Sequence, residues 1–248
     1  MITETTGLIL KNTKIARDRR MLVLFTRKFG KISAGTGLTQ RGKNRSHLAL
    51  GPFTYGRYPL YKGREYNVDA AEPVESFFEL GEDIDKYFAA SCALEYVDAL
   101  LPYEQPAPDI LDTLLDFVHI LKNRPSRYRS LRLIFHWIVL GQSGFMPNLQ
   151  TCCRCGEKKQ AAALSVPDGA MICEECLEKG NVNNALLYRD KFDIIQILEF
   201  VANSRMERFA GLSLNPDAEA YLTALLRDIL SYHLNIHKLR SETYLMEK

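Results

Sequence analysis

The stretch "RMLVLFTRKFGKISAGTG", residues 20–37, decides the class of the N-terminal fold. Its two halves, 20–27 and 30–37, alternate apolar with polar or basic residues and are separated by a glycine-containing turn. Alternation with a period of two is typical of a β-strand with one buried face, and a short turn joins two such strands into a hairpin. The stretch therefore predicts two paired strands.

The same pattern extends in both directions over roughly the first seventy residues. Further β-runs are predicted in "TGLILKN", "GPFTYGRYPLYKG" and "REYNVDAA", and Lys62-Gly63 reads as the turn of a hairpin. Five strands with no room for crossover helices predict a small antiparallel barrel, for which an OB-like Greek-key barrel is the natural candidate.

The charge of the chain is divided unevenly. Residues 1–64 carry fourteen lysines and arginines against two acids, a net charge of +12, whereas residues 65–248 carry a net charge of −10. Mutual repulsion on this scale is destabilising unless an anionic partner offsets it, although solvated lysines on a small β-domain are the plainer interpretation. Basic side chains at turns can reach backbone phosphates. The predicted DNA contacts are Lys14, Arg17, Arg19, Arg20, Arg27, Lys28, Lys31, Arg41, Lys43 and Arg45.

Aromatic residues are interleaved with these charges, and exposed aromatics in a basic groove stack on the bases of single strands. About half of them must fill the barrel core instead, and Phe25 and Phe53 are predicted to do so. The set is Phe25, Phe29, Phe53, Tyr55, Tyr58 and Tyr61.

From "EPVESFF", residues 72–78, the apolar spacing changes to three and four residues, which predicts helices. Asn215 and Pro216 are predicted as the N-cap and first residue of the last one. The helical runs are "EDIDKYFAASCALEYVDALL", "APDILDTLLDFVHILKN", "YRSLRLIFHWIVLGQSG", "YRDKFDIIQILEFVANS" and "NPDAEAYLTALLRDILSYHLNIHKL". The predicted fold is α+β and multidomain, with an OB-fold barrel over residues 1–75 and an all-α domain over 76–248.

A cysteine-rich segment at about 147–180 interrupts the helices. Its two Cys-x-x-Cys pairs are separated by seventeen residues, a spacing typical of a four-cysteine zinc site. In "TCCRCGEKK", residues 151–159, pairing Cys153 with Cys155 would need a different turn and would leave Cys152 behind. The predicted ligands of a structural zinc ion are Cys152, Cys155, Cys173 and Cys176, with Cys153 surplus.

Enzymatic activity is not expected. Four thiolates fill a tetrahedral shell, and no H-x-E sequence accompanies them as in a zinc deaminase. "GLTQRGKN", residues 37–44, has the form G-x-x-x-x-G-K, but Asn44 stands where a P-loop needs a Ser or Thr hydroxyl. A zinc nuclease or deaminase would require an incomplete thiolate shell.

Together these segments resemble the bacterial DNA repair protein RecO family. The resemblance rests on "LVLFTRKFGKISAGTGLTQRGKNRS", "PFTYGRYPLYKGRE" and "GFMPNLQTCCRCG" with "GAMICEEC", and covers roughly residues 5–180. It implies a protein that binds single- and double-stranded DNA, anneals complementary strands and helps load recombinase onto DNA coated by single-strand binding protein, without nucleotide hydrolysis. It also implies two protein partners, RecR and the C-terminal tail of single-strand binding protein, with Arg132 in the region similar to the tail-binding surface.

The longest apolar run, "LRLIFHWIVLG", is about half as long as a bilayer-spanning helix. With no apparent secretory signal, the expected location is the cytoplasm, in association with the nucleoid and without a membrane partner. An RNA-binding factor of translation or transcription that uses the same barrel and zinc ribbon is the alternative function.

Overall fold

The computed structural model describes residues 2–16, 19–38, 48–124, 128–179 and 186–241. The chain divides into two compact units, the first made of residues 1–128 with 240–248 and the second of residues 129–239. The domain boundary that the sequence predicts, between residues 75 and 76, stays a prediction.

The first unit contains a closed five-stranded barrel. Its strands are connected in the order β1-β2-β3-β5-β4, and β4 pairs back with β1 to close the sheet. This is the OB-like arrangement that the sequence predicts. The β3–β5 pair is parallel, so the expectation of a wholly antiparallel barrel is wrong for that pair. The strands are β1 (Ile2–Ala16), β2 (Arg19–Thr26), β3 (Gly30–Thr36), β4 (Thr54–Lys62) and β5 (Tyr66–Val68).

The barrel interior is built from alternate residues of each strand. Leu22 and Leu24 of β2 pair with Ala34 and Ile32 of β3, and all four are fully buried in one hydrophobic cluster. Tyr58 is also buried in this cluster, and its hydroxyl donates to the Ala49 carbonyl at 2.8 Å. Burial raises the pKa of Tyr58, which keeps the hydroxyl protonated as a donor.

Both aromatic residues predicted for the core are buried. Phe53 is 3% exposed, and Phe25 is fully buried. Phe25 follows Leu24 along β2 and therefore faces the outside of the barrel, because successive side chains of a strand point to opposite faces. The second helix of the first unit packs against β2, so side chains on the outer face of this strand can also be buried.

Three further elements complete the first unit. The segment after residue 71, predicted to begin the helical region, is instead a sixth strand, β6 (Glu72–Ser76), which pairs antiparallel with β4. A 3₁₀ turn (Phe78–Gly81) leads to α1 (Ile84–Leu100) and α2 (Pro108–Asn123). The side chain of Asp83 caps α1 by accepting from the backbone N–H groups of Asp85 and Lys86.

The far end of the chain returns to α1. The carboxylate of Glu95 accepts hydrogen bonds from the backbone N–H groups of Arg240 at 2.7 Å and Ser241 at 2.9 Å, and from the Ser241 hydroxyl. The last described residues are therefore part of the first unit.

The second unit is helical around a short sheet. Its first helix is almost wholly buried from Leu131 to Leu140 and contains the fully buried Trp137, in keeping with its broad apolar face. Asn215 caps the last helix by accepting from the Asp217 N–H at 2.8 Å, as predicted. The elements are α3 (Tyr128–Gln142), β7 (Ala161–Ser165), β8 (Ala170–Cys173), α4 (Glu174–Glu178), β9 (Leu187–Arg189), α5 (Ile194–Ala202), a 3₁₀ turn (Met206–Phe209) and α6 (Pro216–Leu234).

The fourth predicted helix begins later than its sequence pattern indicates. Tyr188, predicted to start the helix, lies in β9, which pairs with β7. Phe192 and Asp193 adopt left-handed backbone conformations with φ of 59° and 55°, which a helix cannot contain. The helix therefore starts at Ile194, after the chain has turned away from the sheet.

Candidate metal centre and nucleic-acid interface

The four predicted ligands come together. The sulfur atoms of Cys152, Cys155, Cys173 and Cys176 all lie within 4.8 Å of one another, and the Cys155 and Cys173 sulfurs are 4.0 Å apart. Zinc–sulfur bonds of about 2.3 Å place the sulfurs of a tetrahedral site about 3.8 Å apart. The cluster therefore has the donor type, number and size that suit zinc.

The backbone explains how two short turns aim four sulfurs at one point. In the first turn, the Gly156 N–H donates to the Cys152 carbonyl at 2.8 Å. Gly156 has a φ of +73°, which glycine adopts readily because it has no Cβ atom. In the second, β8 ends at Cys173 and α4 begins at the next residue, which places Cys176 within the first turn of that helix.

The electrostatics of the cluster favour a thiolate at Cys152 and a cation among the four sulfurs. Burial raises the pKa of Cys152, but backbone N–H groups of Cys173, Cys155 and Arg154 outweigh it and lower the pKa to about 6. The pKa of Cys176 is instead raised, to about 12, chiefly because its thiol donates to the Cys173 sulfur. Four adjacent sulfurs cannot all ionise without a positive charge among them, which a divalent cation would supply.

The remaining cysteines lie outside the cluster. Cys153 is exposed, and its backbone N–H donates to the Met171 carbonyl at 3.0 Å. The Cys153 sulfur is not among the four that come together. Cys92 is buried on α1, where it serves as a small apolar residue.

The loop between the two Cys-x-x-Cys pairs forms a short hairpin, in which β7 pairs antiparallel with β8. Gly169 stands at its turn with a φ of +58°, and the His233 ring on α6 lies 2.6 Å from the Val166 carbonyl. Lys159 is paired within the ribbon, with Glu157 at 2.9 Å and Glu175 at 2.8 Å. The charge of Lys159 therefore stabilises the ribbon rather than facing solvent alone.

Three of the predicted DNA contacts lie together at one end of the barrel. Lys14 of β1 pairs directly with Arg20 of β2, and Arg19 immediately precedes Arg20 on the same strand. Lys14 and Arg19 are exposed, whereas Arg20 is half-buried and donates to Asn12 Oδ1. In OB folds, the β1–β2 and β4–β5 loops flank the face that binds oligonucleotides. These three residues lie beside the first of those loops.

Two further predicted contacts, Arg27 and Lys28, lie at the other end of β2. The strand of eight residues separates the two groups by about 25 Å. Arg27 forms an ion pair with Asp112 on α2. Hydrogen bonds to the side chains of Asp112 and Tyr55 raise the pKa of Arg27. Lys28 Nζ donates to the Thr3 hydroxyl at 3.1 Å. Among the described residues, these predicted contacts therefore form two separate groups and not one continuous patch.

Lys31 is placed differently from the other predicted contacts. It is only 5% exposed, and its ammonium group faces Asp98 and the ring of Tyr103. A buried and paired ammonium group is poorly placed to reach a phosphate.

The other four predicted contacts, Arg17, Arg41, Lys43 and Arg45, lie outside the described residues. The last three belong to the segment that follows β3. Because β3 ends at Thr36, which pairs with Arg20, the chain enters that segment from the same end of the sheet as Lys14 and Arg19.

The second loop that flanks an OB face also carries basic residues, which are not among the ten predicted contacts. Lys62 and Arg64 are exposed on either side of Gly63. Lys62 lies 3.6 Å from a carboxylate oxygen of Glu104 and 4.5 Å from the ring centre of Tyr66. The Lys62-Gly63 hairpin turn is evident in the sequence. Only the strand order shows that it is the β4–β5 loop, which in OB folds lies beside the face that binds nucleic acid.

Arg132, the predicted partner contact, is half-buried on α3. His136 lies one helical turn later and is fully enclosed. Burial, followed by the charge of Arg132, lowers the pKa of His136 well below its usual value. His136 is therefore neutral at physiological pH.

Comparison with protein families identifies the chain. A model of the recombination protein O N-terminal region matches residues 1–77, and a model of its C-terminal region matches residues 81–243. The chain belongs to the RecO family. The N-terminal RecO model ends directly after β6, the last strand of the first unit, and the C-terminal model begins at residue 81.

Individual RecO relatives match along most of their length. The DNA repair protein RecO of Alkaliphilus metalliredigens is 27% identical over 95% of this chain and 95% of its own. Those of Caldicellulosiruptor saccharolyticus and Clostridium novyi are 25% and 23% identical, each over 93% of this chain and over 94% and 88% of their own. Throughout the described parts of the chain, no helix has the length and apolar character needed to cross a membrane.

Proposed function

We propose that this RecO-family chain is a DNA-binding, strand-annealing mediator of recombinational repair that works without nucleotide hydrolysis. The observation that carries the proposal is the family match over both halves of the chain. The OB-like barrel supports it, because Lys14 and Arg19 are exposed beside a loop that in other OB folds contacts nucleic acid.

The basic end of the barrel suits annealing because two DNA strands repel each other through their phosphates. Lysines and arginines that neutralise phosphates release condensed counterions and bind with little dependence on sequence. Strands held at one positively charged surface can approach closely enough for base pairing to begin. No covalent chemistry is needed for this step, so an active site is not required.

Zinc is proposed as a structural ion held by Cys152, Cys155, Cys173 and Cys176. Bound there, it would cross-link the two knuckles of the ribbon and hold the four thiolates in their ionised form. Four protein ligands leave no open position for water or substrate, so the site would stabilise the second unit without taking part in a reaction.

The proposed protein partners are RecR and the C-terminal tail of single-strand binding protein. The tail is acidic and apolar, so it needs a cation beside apolar surface. Arg132 is the proposed contact, since it lies in the region similar to the family's tail-binding surface and its side chain is only half-buried on α3.

The decisive experiment is annealing of complementary strands already coated with single-strand binding protein, either intact or lacking its C-terminal tail. We expect annealing with the intact protein, little without the tail, and no requirement for ATP. Absence of annealing under both conditions would refute the proposal. Competition between RNA and DNA strands of equal length distinguishes the alternative, because an RNA-binding factor would prefer the RNA.

A further inference from the structure

One aromatic side chain stands apart from the other five in the basic N-terminal segment. Tyr61 is 51% exposed, whereas Phe25, Phe53 and Tyr58 are buried. Phe29 and Tyr55 are half-buried, Phe29 against the Tyr66 ring and Tyr55 through a hydrogen bond to the Thr6 hydroxyl. All six lie within the described parts of the chain, so Tyr61 alone among them offers a largely open ring.

Tyr61 belongs to a row that crosses four strands on the outside of the barrel. Met21 pairs with Gly35, Gly35 with Asn67, and Asn67 with Tyr61. Each directly neighbours a core residue along its own strand, so all four face away from the barrel interior. At about 4.8 Å between strands, the row is about 14 Å long.

The row has the shape and chemistry of a shallow groove. Gly35 has no side chain, and a Cβ atom there would lie 3.1 Å from Asn67 Oδ1, so the amide oxygen stands over the glycine. Asn67 Nδ2 donates to the Glu65 carbonyl at 3.3 Å, which fixes the amide with its oxygen towards the row. None of the four residues is charged, and the Tyr61 ring lies against Gly63, 3.6 Å from where its Cβ would be.

Positive charge flanks the row on both sides. Arg19, two residues before Met21 on β2, is exposed on the same face, and Arg64 is exposed in the loop after Tyr61. Single-strand binding sites combine a backbone-binding positive groove with aromatic faces on which bases stack. An uncharged groove with one open ring, set between two basic loops, has this composition.

We infer that the row Met21–Gly35–Asn67–Tyr61 binds an unpaired nucleobase of single-stranded DNA, which stacks on the Tyr61 ring while Arg19 and Arg64 contact the flanking phosphates. Asn67 Oδ1 accepts a hydrogen bond from an exocyclic amino group of the base. A paired base in a duplex presents no open face to the ring, so this site favours single strands. The inference rests on the proposed DNA-binding function and assigns that function a base-binding residue.

The test compares Tyr61→Ala and Tyr61→Phe with the wild type in the full chain. The matched control is Tyr232→Ala, which removes an equally exposed tyrosine (55%) from α6. Fluorescence anisotropy measures affinity for a single-stranded oligonucleotide, an abasic strand of the same length and a blunt duplex. A 2-aminopurine base in the single strand reports stacking by quenching.

Loss of one stacked base lowers affinity by about tenfold. We expect Tyr61→Ala to show this loss for the single strand alone, with an unchanged salt slope, unchanged duplex affinity and no 2-aminopurine quenching. Tyr61→Phe and Tyr232→Ala should match the wild type, and the abasic strand should bind all four proteins equally weakly.

Equal loss for single strand and duplex, or no loss, would overturn the base site while leaving the basic barrel end intact. If the wild type bound no DNA at all, the proposed function and the base site would fail together. Thermal melting of Tyr61→Ala checks that the variant is folded at the temperature of the binding assay, so that a loss of affinity can be assigned to the missing ring.

Discussion

Lys31 Nζ on β3 lies 3.3 Å from Asp98 Oδ1 on α1 and donates to the Asp98 backbone carbonyl. The Tyr103 ring centre is 4.4 Å from the same nitrogen. The Lys31 side chain is 6% exposed and that of Asp98 28%, so the pair is largely shielded from water. This lysine joins the barrel to the helices of its own unit.

Replacing Lys31 with methionine should lower stability. The apolar stem is retained, but the partly buried Asp98 carboxylate loses its partner. Removing one member of a fully buried pair costs about 3–5 kcal/mol, and partial exposure of Asp98 reduces this to about 2 kcal/mol. Urea unfolding measures the change, and Lys28→Met at an exposed position should cost less than about 0.5 kcal/mol. A stable Lys31→Met protein with a reduced salt dependence of DNA binding would show that Lys31 contacts phosphate instead.

Reversing the charge at Lys14 and Arg19 should weaken DNA binding and flatten its salt dependence. Each phosphate contact to a single strand contributes about 0.7 to the slope of log K against log salt, so two lost contacts should reduce it by about 1.4. Titrations of one oligonucleotide at several salt concentrations measure this slope. Arg227→Glu, at a position 62% exposed in the second unit, is the control for net charge. An equal loss in that variant would mean that overall charge, not the barrel end, governs binding.

The four-cysteine cluster predicts opposite effects for two cysteine substitutions. Cys173→Ser removes a buried ligand, so zinc content should fall well below one ion per chain and the second unit should melt at a lower temperature. Cys153→Ser should leave both unchanged, because Cys153 is exposed and outside the cluster. Elemental analysis and thermal melting, with and without a chelator, provide the measurements. Zinc loss in Cys153→Ser would reassign the ligands.

His136 should make the second unit sensitive to mild acid. Burial and Arg132 lower its pKa in the folded state, so the unfolded chain takes up the proton first as pH falls. The contribution of neutral His136 to the free energy of unfolding is therefore complete above about pH 6.5 and is lost as pH falls below that value. Between pH 7 and 5.5 the loss is about 1 kcal/mol.

The comparison is between wild type and His136→Gln, which cannot titrate in this range. The urea midpoint of wild type should fall more than that of the variant over this interval, with zinc content verified at each pH. Identical pH dependence in the two proteins would show that His136 binds its proton equally well in the folded and unfolded states, so that burial does not lower its pKa.

Local patterns predicted those features that are set within a few residues. The alternation around Leu22 and Leu24 predicted paired strands, the spacing of Cys152 and Cys155 predicted a knuckle, and Asn215 predicted a helix start. Each depends on side chains near one another in sequence, so each can be read from the chain directly.

Features set by distant partners could not be predicted in this way. The segment around Val74 becomes a strand because it pairs with residues 54–57 of β4. Tyr188 becomes part of a strand in the same way, because it pairs with β7. Lys31 looks like a surface lysine beside a glycine turn, and only the arrival of Asp98 from α1 buries it. The outward row at Gly35 likewise depends on the parallel pairing of β3 with β5, which the run of alternating residues does not specify.

The hydrogen bonds from Arg240 and Ser241 to Glu95 have a consequence for the order of events on the ribosome. Every residue of the second unit is synthesised before the segment that completes the first. At about 5–20 residues per second, that delay is roughly 6–20 s. The barrel can close in this time, but α1 carries the Glu95 carboxylate without these donors until Arg240 and Ser241 have been added. A nascent chain arrested before residue 240 therefore exposes the Glu95 site that the segment at 240–241 would occupy.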